Sequence, residues 1–449
     1  MTIPSSSSSP ELRAVLAEKL ADSAVGRLPA ITSRRLAGPA QFPGKATSVI
    51  GMRRAGKTFF LHQLRAAGMA GGIAARQFPY INFEDDRLAG MDVGGLSLML
   101  DMYYRDNPDL RGSDARVLWC LDEVQVVPGW EVFVRRVLDS EGVEVAITGS
   151  SAAMLSKEIA TSLRGRAWTV RIFPFAFDEV LRHAGLPVPD GRVALSSVGR
   201  TSLESRFTEY LVAGGFPETL GRPVEVRGQL LRDYVDVAVL RDVVERHGVT
   251  NVAGLRWLVR HLLGNAGSLF SVEKFHAALK SSGVAVGRDT LHEYMSYLQD
   301  CFLVRTVWME SSSERQRMVN PRKVYPIDPG LIPIYDRSGR SNQGHALETV
   351  VLLELERRGA EVTYVRTADG YEVDFLARYN DGTSELIQVC ADASDQQTAG
   401  REIRALQAAA AAHPTAVLRL LTATRADLPS SVPDSVSAEP AWQWILRGI

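Results

Sequence analysis

Cysteine is scarce in this chain: its 449 residues contain three, Cys120, Cys301 and Cys390, each inside an apolar run and none in a C-x-x-C pair. That usage argues against a disulfide framework or a thiolate zinc site and predicts a reducing, cytoplasmic setting. Long apolar runs are missing as well. No stretch approaches the ~20 residues that span a bilayer, and the N-terminus lacks the charged-then-apolar order of a signal peptide, so no membrane is expected among the partners. Net charge is also nearly absent, at −1; a polyanion would have to be gripped by local basic patches and not by a global field. The length suggests about three domains on a prior of ~150 residues each.

One stretch stands apart, Ser48 to Leu64, SVIGMRRAGKTFFLHQL. An apolar strand ending at Ile50 runs into Gly51, Met52, Arg53, Arg54, Ala55, Gly56, Lys57 and Thr58, the G-x-x-x-x-G-K-[ST] pattern, and then into an amphipathic helix opened by Phe59. The two glycines permit backbone conformations and close approach that a side chain would block, so successive N–H groups can face phosphate oxygens. Lys57 adds a point charge, and the Thr58 hydroxyl can complete a Mg2+ shell at the helix N-terminus. The ligands expected here are ATP and Mg2+.

From Ser48 to about Pro174 strands and helices alternate. Phe78 to Asp85 reads as a strand whose end carries Glu84 and Asp85. Val117 to Leu121 reads as another, followed directly by Asp122 and Glu123. Carboxylates at the mouth of a buried parallel strand lie where ligands of such sheets collect. Asp122 can hold Mg2+ through water, and Glu123 can polarise the attacking water as general base. The next strand, Val143 to Thr148, ends in Gly149-Ser150-Ser151; Thr148 or Ser150 can bond the lytic water or the γ-phosphate, or cap the helix expected over Ala152 to Ser162. That helix closes at Leu163-Arg164-Gly165-Arg166, where two cations suit a helix C-terminus.

The phosphate loop, L-D-E-V-Q with Trp130 following, I-T-G-S-S-A, L-R-G-R and G-G-F-P-E (Gly214 to Glu218) occur in that order. Together they resemble the prokaryotic AAA+ ATPases that carry a C-terminal nuclease-like domain, over about residues 48–421. The resemblance implies a homo-oligomeric ring, expected to be a hexamer. It also implies that Thr148 to Ser150 act as the first sensor and that Arg164 or Arg166 is the arginine finger reaching a neighbour's nucleotide. No particular substrate follows from it.

The expected organisation is α/β. Residues 1–30 form a disordered tail and a helix (Glu11 to Ala24), 31–174 an AAA+ P-loop ATPase core, 175–267 a helical lid, 268–341 a winged-helix domain, and 342–449 a PD-(D/E)xK-like domain. In the winged helix, helices Ser271 to Ser281 and Arg288 to Asp300 precede a β-rich wing, Leu303 to Tyr325. Arg288, Arg315, Arg317, Arg322 and Lys323 are its expected DNA contacts, opposed by Glu310 and Glu314. In the last domain Glu348 and Asp374 occupy nuclease-like positions, but Gln388 and Cys390 replace the [DE] and Lys of the metal site, which predicts weak Mg2+ binding and no cleavage. The function expected is ATP-driven binding or remodelling of DNA, with branched DNA one form of substrate. The alternatives are a nucleotide switch acting on a protein partner in stress response or defence, and a metal-dependent nuclease with a displaced lysine.

Overall fold

The structure, a computed structural model, describes residues 9–149, 163, 165–190, 195–337 and 342–447. Ser150, Arg164 and the helix expected over 152–162 lie outside the described residues, as do residues 1–8. The chain divides into two compact units, Met1–Ile172 and Phe173–Ile449.

The first unit opens with helix Pro10–Ala24, which begins where it does because Ser9 Oγ accepts the Leu12 N–H at 3.1 Å and proline fills the first turn. Five strands follow: β1 (Ala46–Ile50), β2 (Tyr80–Asn82), β3 (Leu118–Asp122), β4 (Glu144–Thr148) and β5 (Ala167–Arg171). They pair in parallel in the order β2-β3-β4-β1-β5. All of β1 and all of β3 are buried, as expected of strands covered on both faces. Helix Lys57–Ala70 packs Phe60, Leu61 and Leu64 onto the sheet. A Cβ at Gly68 would meet the Phe78 ring at 2.0 Å, so glycine sets how closely that helix approaches. Because every strand runs the same way, Asn82 pairs with Asp122 and Val49 with Thr148. The ends of β1, β3 and β4 thereby converge on one edge.

The second unit starts with helices, among them Ser197–Ala213 and Val252–Gly264, and then builds an eight-stranded sheet. Its strands are β6 (Leu269–Phe270), β7 (Val304–Met309), β8 (Arg322–Pro326), β9 (Glu361–Arg366), β10 (Glu372–Arg378), β11 (Ser384–Val389), β12 (Val417–Thr422) and β13 (Val436–Pro440). Their order is β13-β12-β11-β10-β9-β7-β8-β6. Helices Val272–Ser281 and Arg288–Asp300 match expectation closely. Two features depart from it. The expected wing is interrupted by a helix, Glu314–Val319, whose N-cap Ser313 accepts the Gln316 N–H. And β7 pairs in parallel with β9 through Trp308↔Thr363 and Met309↔Tyr364. One sheet thus runs across the boundary expected at 341/342. Helix Gln343–Arg357 is buried on nearly every side, with Leu347, Val350, Val351 and Leu355 in the core.

Candidate nucleotide site and a buried carboxylate cluster

At the converging edge of the first unit, Gly51 has φ 153° and a Cβ on it would lie 2.1 Å from the Ile172 carbonyl oxygen. Gly56 has φ 102° and closes the loop into the helix. Both conformations are open to glycine and costly for other residues. Lys57 is buried, and its ammonium folds back over the loop to donate to the carbonyls of Gly51 (3.2 Å) and Met52 (3.3 Å). Arg34, from the basic segment before β1, braces the loop from behind: its Nη1 donates to Ala55 O at 2.8 Å.

Asp122 is buried at the end of β3, where two hydroxyls orient it. Thr148 Oγ1 donates to Oδ1 and the Tyr80 phenol donates to Oδ2 at 2.8 Å. Thr148 also accepts the Glu123 N–H at 2.8 Å, so a single hydroxyl couples both acidic residues to β4. Glu123 itself has φ 54°, a left-handed conformation uncommon for a residue with a side chain. Its carboxylate accepts from Gln125 Nε2 at 2.5 Å. Glu84 lies nearby and pairs loosely with Arg53 at 3.7 Å. Burial first, and the Glu123 charge second, raise its pKa. Asp85 faces elsewhere, engaged by Lys19 and Arg87.

The donors fit a Mg2+-bound nucleotide: a glycine loop that a Cβ would obstruct, one buried ammonium, and a carboxylate whose remaining lone pairs stay available. The sequence assigns no site role to Tyr80, to Arg34 in the basic segment before β1, or to Gln125 in the L-D-E-V-Q motif. Gln125 has a readable signal in its place two residues after Glu123; the other two depend on the fold.

Arg166 precedes β5, paired with Asp139 and about two-fifths exposed. Ala46 pairs with Ala167 and Ile50 with Arg171, so Arg166 stands at the sheet edge opposite the phosphate loop. At ~3.3 Å per strand residue the separation along the strands is about 13 Å.

In the second unit the nuclease-like positions form a cluster around a lysine expected elsewhere. Lys323, assigned from sequence to DNA contact, is buried; its Nζ lies 2.8 Å from both Asp374 Oδ1 and Glu372 Oε1. The side chain turns inward because the wing strand β8 is built into the eight-stranded sheet. Burial alone would depress its pKa, but the charges of Asp374, Glu348 and Glu372 outweigh that and hold it raised. Glu348 accepts from the Tyr325 phenol at 3.1 Å; burial, reinforced by Asp374, pushes it up to about 8. Gln388 accepts the Asp374 N–H at 3.3 Å and donates to Glu402 at 2.8 Å. Cys390 donates to Asp392 O, and burial pushes its thiol up to about 11. Among the described residues no three His, Cys, Asp or Glu side chains form a metal-holding group.

The other expected DNA contacts are mostly engaged. Arg322 stacks over Trp308 at 4.5 Å, Arg317 approaches Glu361 at 3.7 Å and Arg288 approaches Glu273 at 3.4 Å. Arg315 is exposed. Glu310 is taken by Arg378 at 2.7 Å, so it does not neutralise the wing; the Glu314 side chain lies outside the described residues.

A family model described as an AAA domain matches residues 43–181, and the first unit is accordingly an AAA P-loop module. A second, described as a domain of unknown function (DUF8612), matches 204–338 and so runs across the boundary expected at 267/268. The chain is 34% identical over 372 residues to the uncharacterized protein MJ1544 of Methanocaldococcus jannaschii, covering 82% of this chain and 79% of that one. It is 29% identical over 333 residues to an uncharacterized protein of Haemophilus influenzae, covering 74% and 79%. Among solved structures it is similar to the Walker-type ATPase PABY2304 of Pyrococcus abyssi, with TM-score 0.40 and 13% identity over 72% of this chain and 95% of that one.

Proposed function

The chain belongs to the family of the Methanocaldococcus jannaschii protein MJ1544, and on that footing we propose that it hydrolyses ATP in a homo-oligomer and couples the turnover to DNA. The observation that carries the ATPase part is the hydroxyl of Thr148, which ties Asp122 and Glu123 together at the mouth of the phosphate loop. Gly51 to Thr58 would hold the phosphates, with Lys57 leaving its carbonyl partners for phosphate oxygens. Thr58 and Asp122 would hold Mg2+, whose charge offsets that developing on the phosphates. Glu123 takes the proton of the attacking water, and its left-handed backbone, pinned through Thr148, fixes where the carboxylate points. Thr148 serves as the sensor through Asp122 and Glu123 in this scheme.

Arg166 stands too far from its own subunit's phosphate loop to reach it, so a finger role requires a neighbouring subunit's nucleotide. For the carboxylate cluster we propose an ion-paired core and not a phosphodiesterase. An ammonium occupies the space between Asp374 and Glu372, and Glu348 holds its proton at neutral pH, leaving few ligand charges for a divalent cation.

The engagement of Lys323, Arg322, Arg317 and Arg288 gives specific support to the second reading, a nucleotide switch acting on a protein partner. ATP turnover measured with single-stranded, duplex and branched DNA separates the two. Stimulation by any form supports the DNA reading; turnover unchanged by all of them supports the switch.

A further inference from the structure

A cavity of about 860 Å3 opens within the second unit, between helix Val224–Val237, helix Val252–Gly264, helix Val272–Ser281 and the segment around Tyr335. Five cations line it, Arg232, Arg256, Arg260, Lys274 and Arg337, against two carboxylates, Asp236 and Asp336. All five cations are exposed, and none of them forms an ion pair among the described residues. Some arginines of the same unit are matched, among them Arg305 with Glu356, Arg378 with Glu310, and Arg419 with Glu385 and Glu439; what sets the cavity apart is that its five cations share one concave wall. Three of the cavity's guanidinium groups bear on one atom. The Tyr335 phenol is raised by burial and by Asp236, and Arg232, Arg260 and Arg256 oppose that rise. Trp257, 51% exposed, lines the same cavity and stands three residues before Arg260 on the same helix, so the two are neighbours on its surface.

Like charges gathered in a concave wall repel one another unless an anion joins them, and guanidinium forks match phosphate oxygens. An aromatic ring lining the same wall as such cations adds a surface on which a base can stack. The volume lies in the range of pockets that enclose small ligands, ~300–1,000 Å3, which suits one or two nucleotides of a strand and not a duplex.

We propose that this groove, and not the wing, binds single-stranded nucleic acid, with Arg232, Arg256 and Arg260 on the phosphates and Trp257 stacked on a base. The inference rests on the DNA reading above and names the site for it. The test is fluorescence anisotropy of the full-length chain with a labelled oligothymidylate, titrated across salt. Combined Arg232→Gln, Arg256→Gln and Arg260→Gln should weaken binding at least tenfold and lower the salt slope by ~0.7 per lost phosphate contact. Trp257→Ala should weaken binding while leaving the slope unchanged, a split that a folding defect would not produce. Arg206→Gln, an exposed cation paired with Glu209, should leave both unchanged. Affinity and slope unaltered in the triple variant overturn the groove while leaving the DNA reading intact; no binding by the wild-type chain to any DNA form overturns both.

Discussion

Lys323 Nζ lies 2.8 Å from the Asp374 carboxylate, reaching from β8 to β10 past the Tyr364 ring, whose centroid is 5.8 Å away. An ammonium 4% exposed and bonded to two carboxylates is held by them as much as it holds them. Removing it takes the ammonium from Asp374, which is buried and, among the described residues, keeps only the Val389 N–H as a donor to Oδ2, while Glu372, a third exposed, still meets water. Lys323→Met should therefore cost about 3–5 kcal/mol, read from urea unfolding. A loss under about 1 kcal/mol would show that the carboxylates find other partners.

The same cluster predicts a pH dependence. Glu348 moves from 4.5 when unfolded to about 8 when folded. A raised carboxyl pKa means the folded state holds the proton more tightly, so this contribution is complete below about pH 4.5 and is lost as pH rises through 8. Glu348→Gln can keep the acceptor for Tyr325 and cannot ionise. Its stability relative to wild type should rise between pH 5 and pH 9; a relative stability that is flat or falls over that range would contradict the assignment.

Lys323 also marks where sequence reading stopped. The order of the phosphate loop, Asp122-Glu123 and Thr148 was legible because each element is local and parallel strands bring their ends together automatically. The helices at 272–281 and 288–300 were legible from apolar spacing alone. The strand Arg322-Lys323-Val324-Tyr325 looked like a basic wing because its inward and outward faces are decided by the pairing of β7 with β9, a contact that no local pattern records. The same is true of the cationic groove, whose arginines and lysine come from four separate segments.

The phosphate loop can be tested sterically. A Cβ on Gly51 would stand 2.1 Å from the Ile172 carbonyl oxygen, at a φ of 153°. Gly51→Ala should distort the loop and weaken nucleotide binding at least tenfold by calorimetry, with a stability loss of about 1–3 kcal/mol. Wild-type affinity in this variant would mean that the loop has room to shift.

Arg166 tests the subunit arrangement. An arginine that meets transition-state charge can be worth ~10^3 or more in rate, so Arg166→Ala should depress turnover by a large factor while leaving nucleotide affinity near wild type. Mixing Arg166→Ala with Lys57→Ala chains should restore part of the activity at junctions that pair two intact halves. Full activity of the Arg166→Ala oligomer would assign the finger elsewhere.

The most direct test of the account is steady-state ATP turnover by Glu123→Gln with nucleotide affinity measured in parallel. Loss of the base that takes the water's proton should lower turnover by ~10^2–10^4 and leave ATP binding intact, because Lys57 and the glycine loop are untouched. Turnover within twofold of wild type would contradict the assignment of Glu123 and, with it, the site built around Asp122 and Thr148.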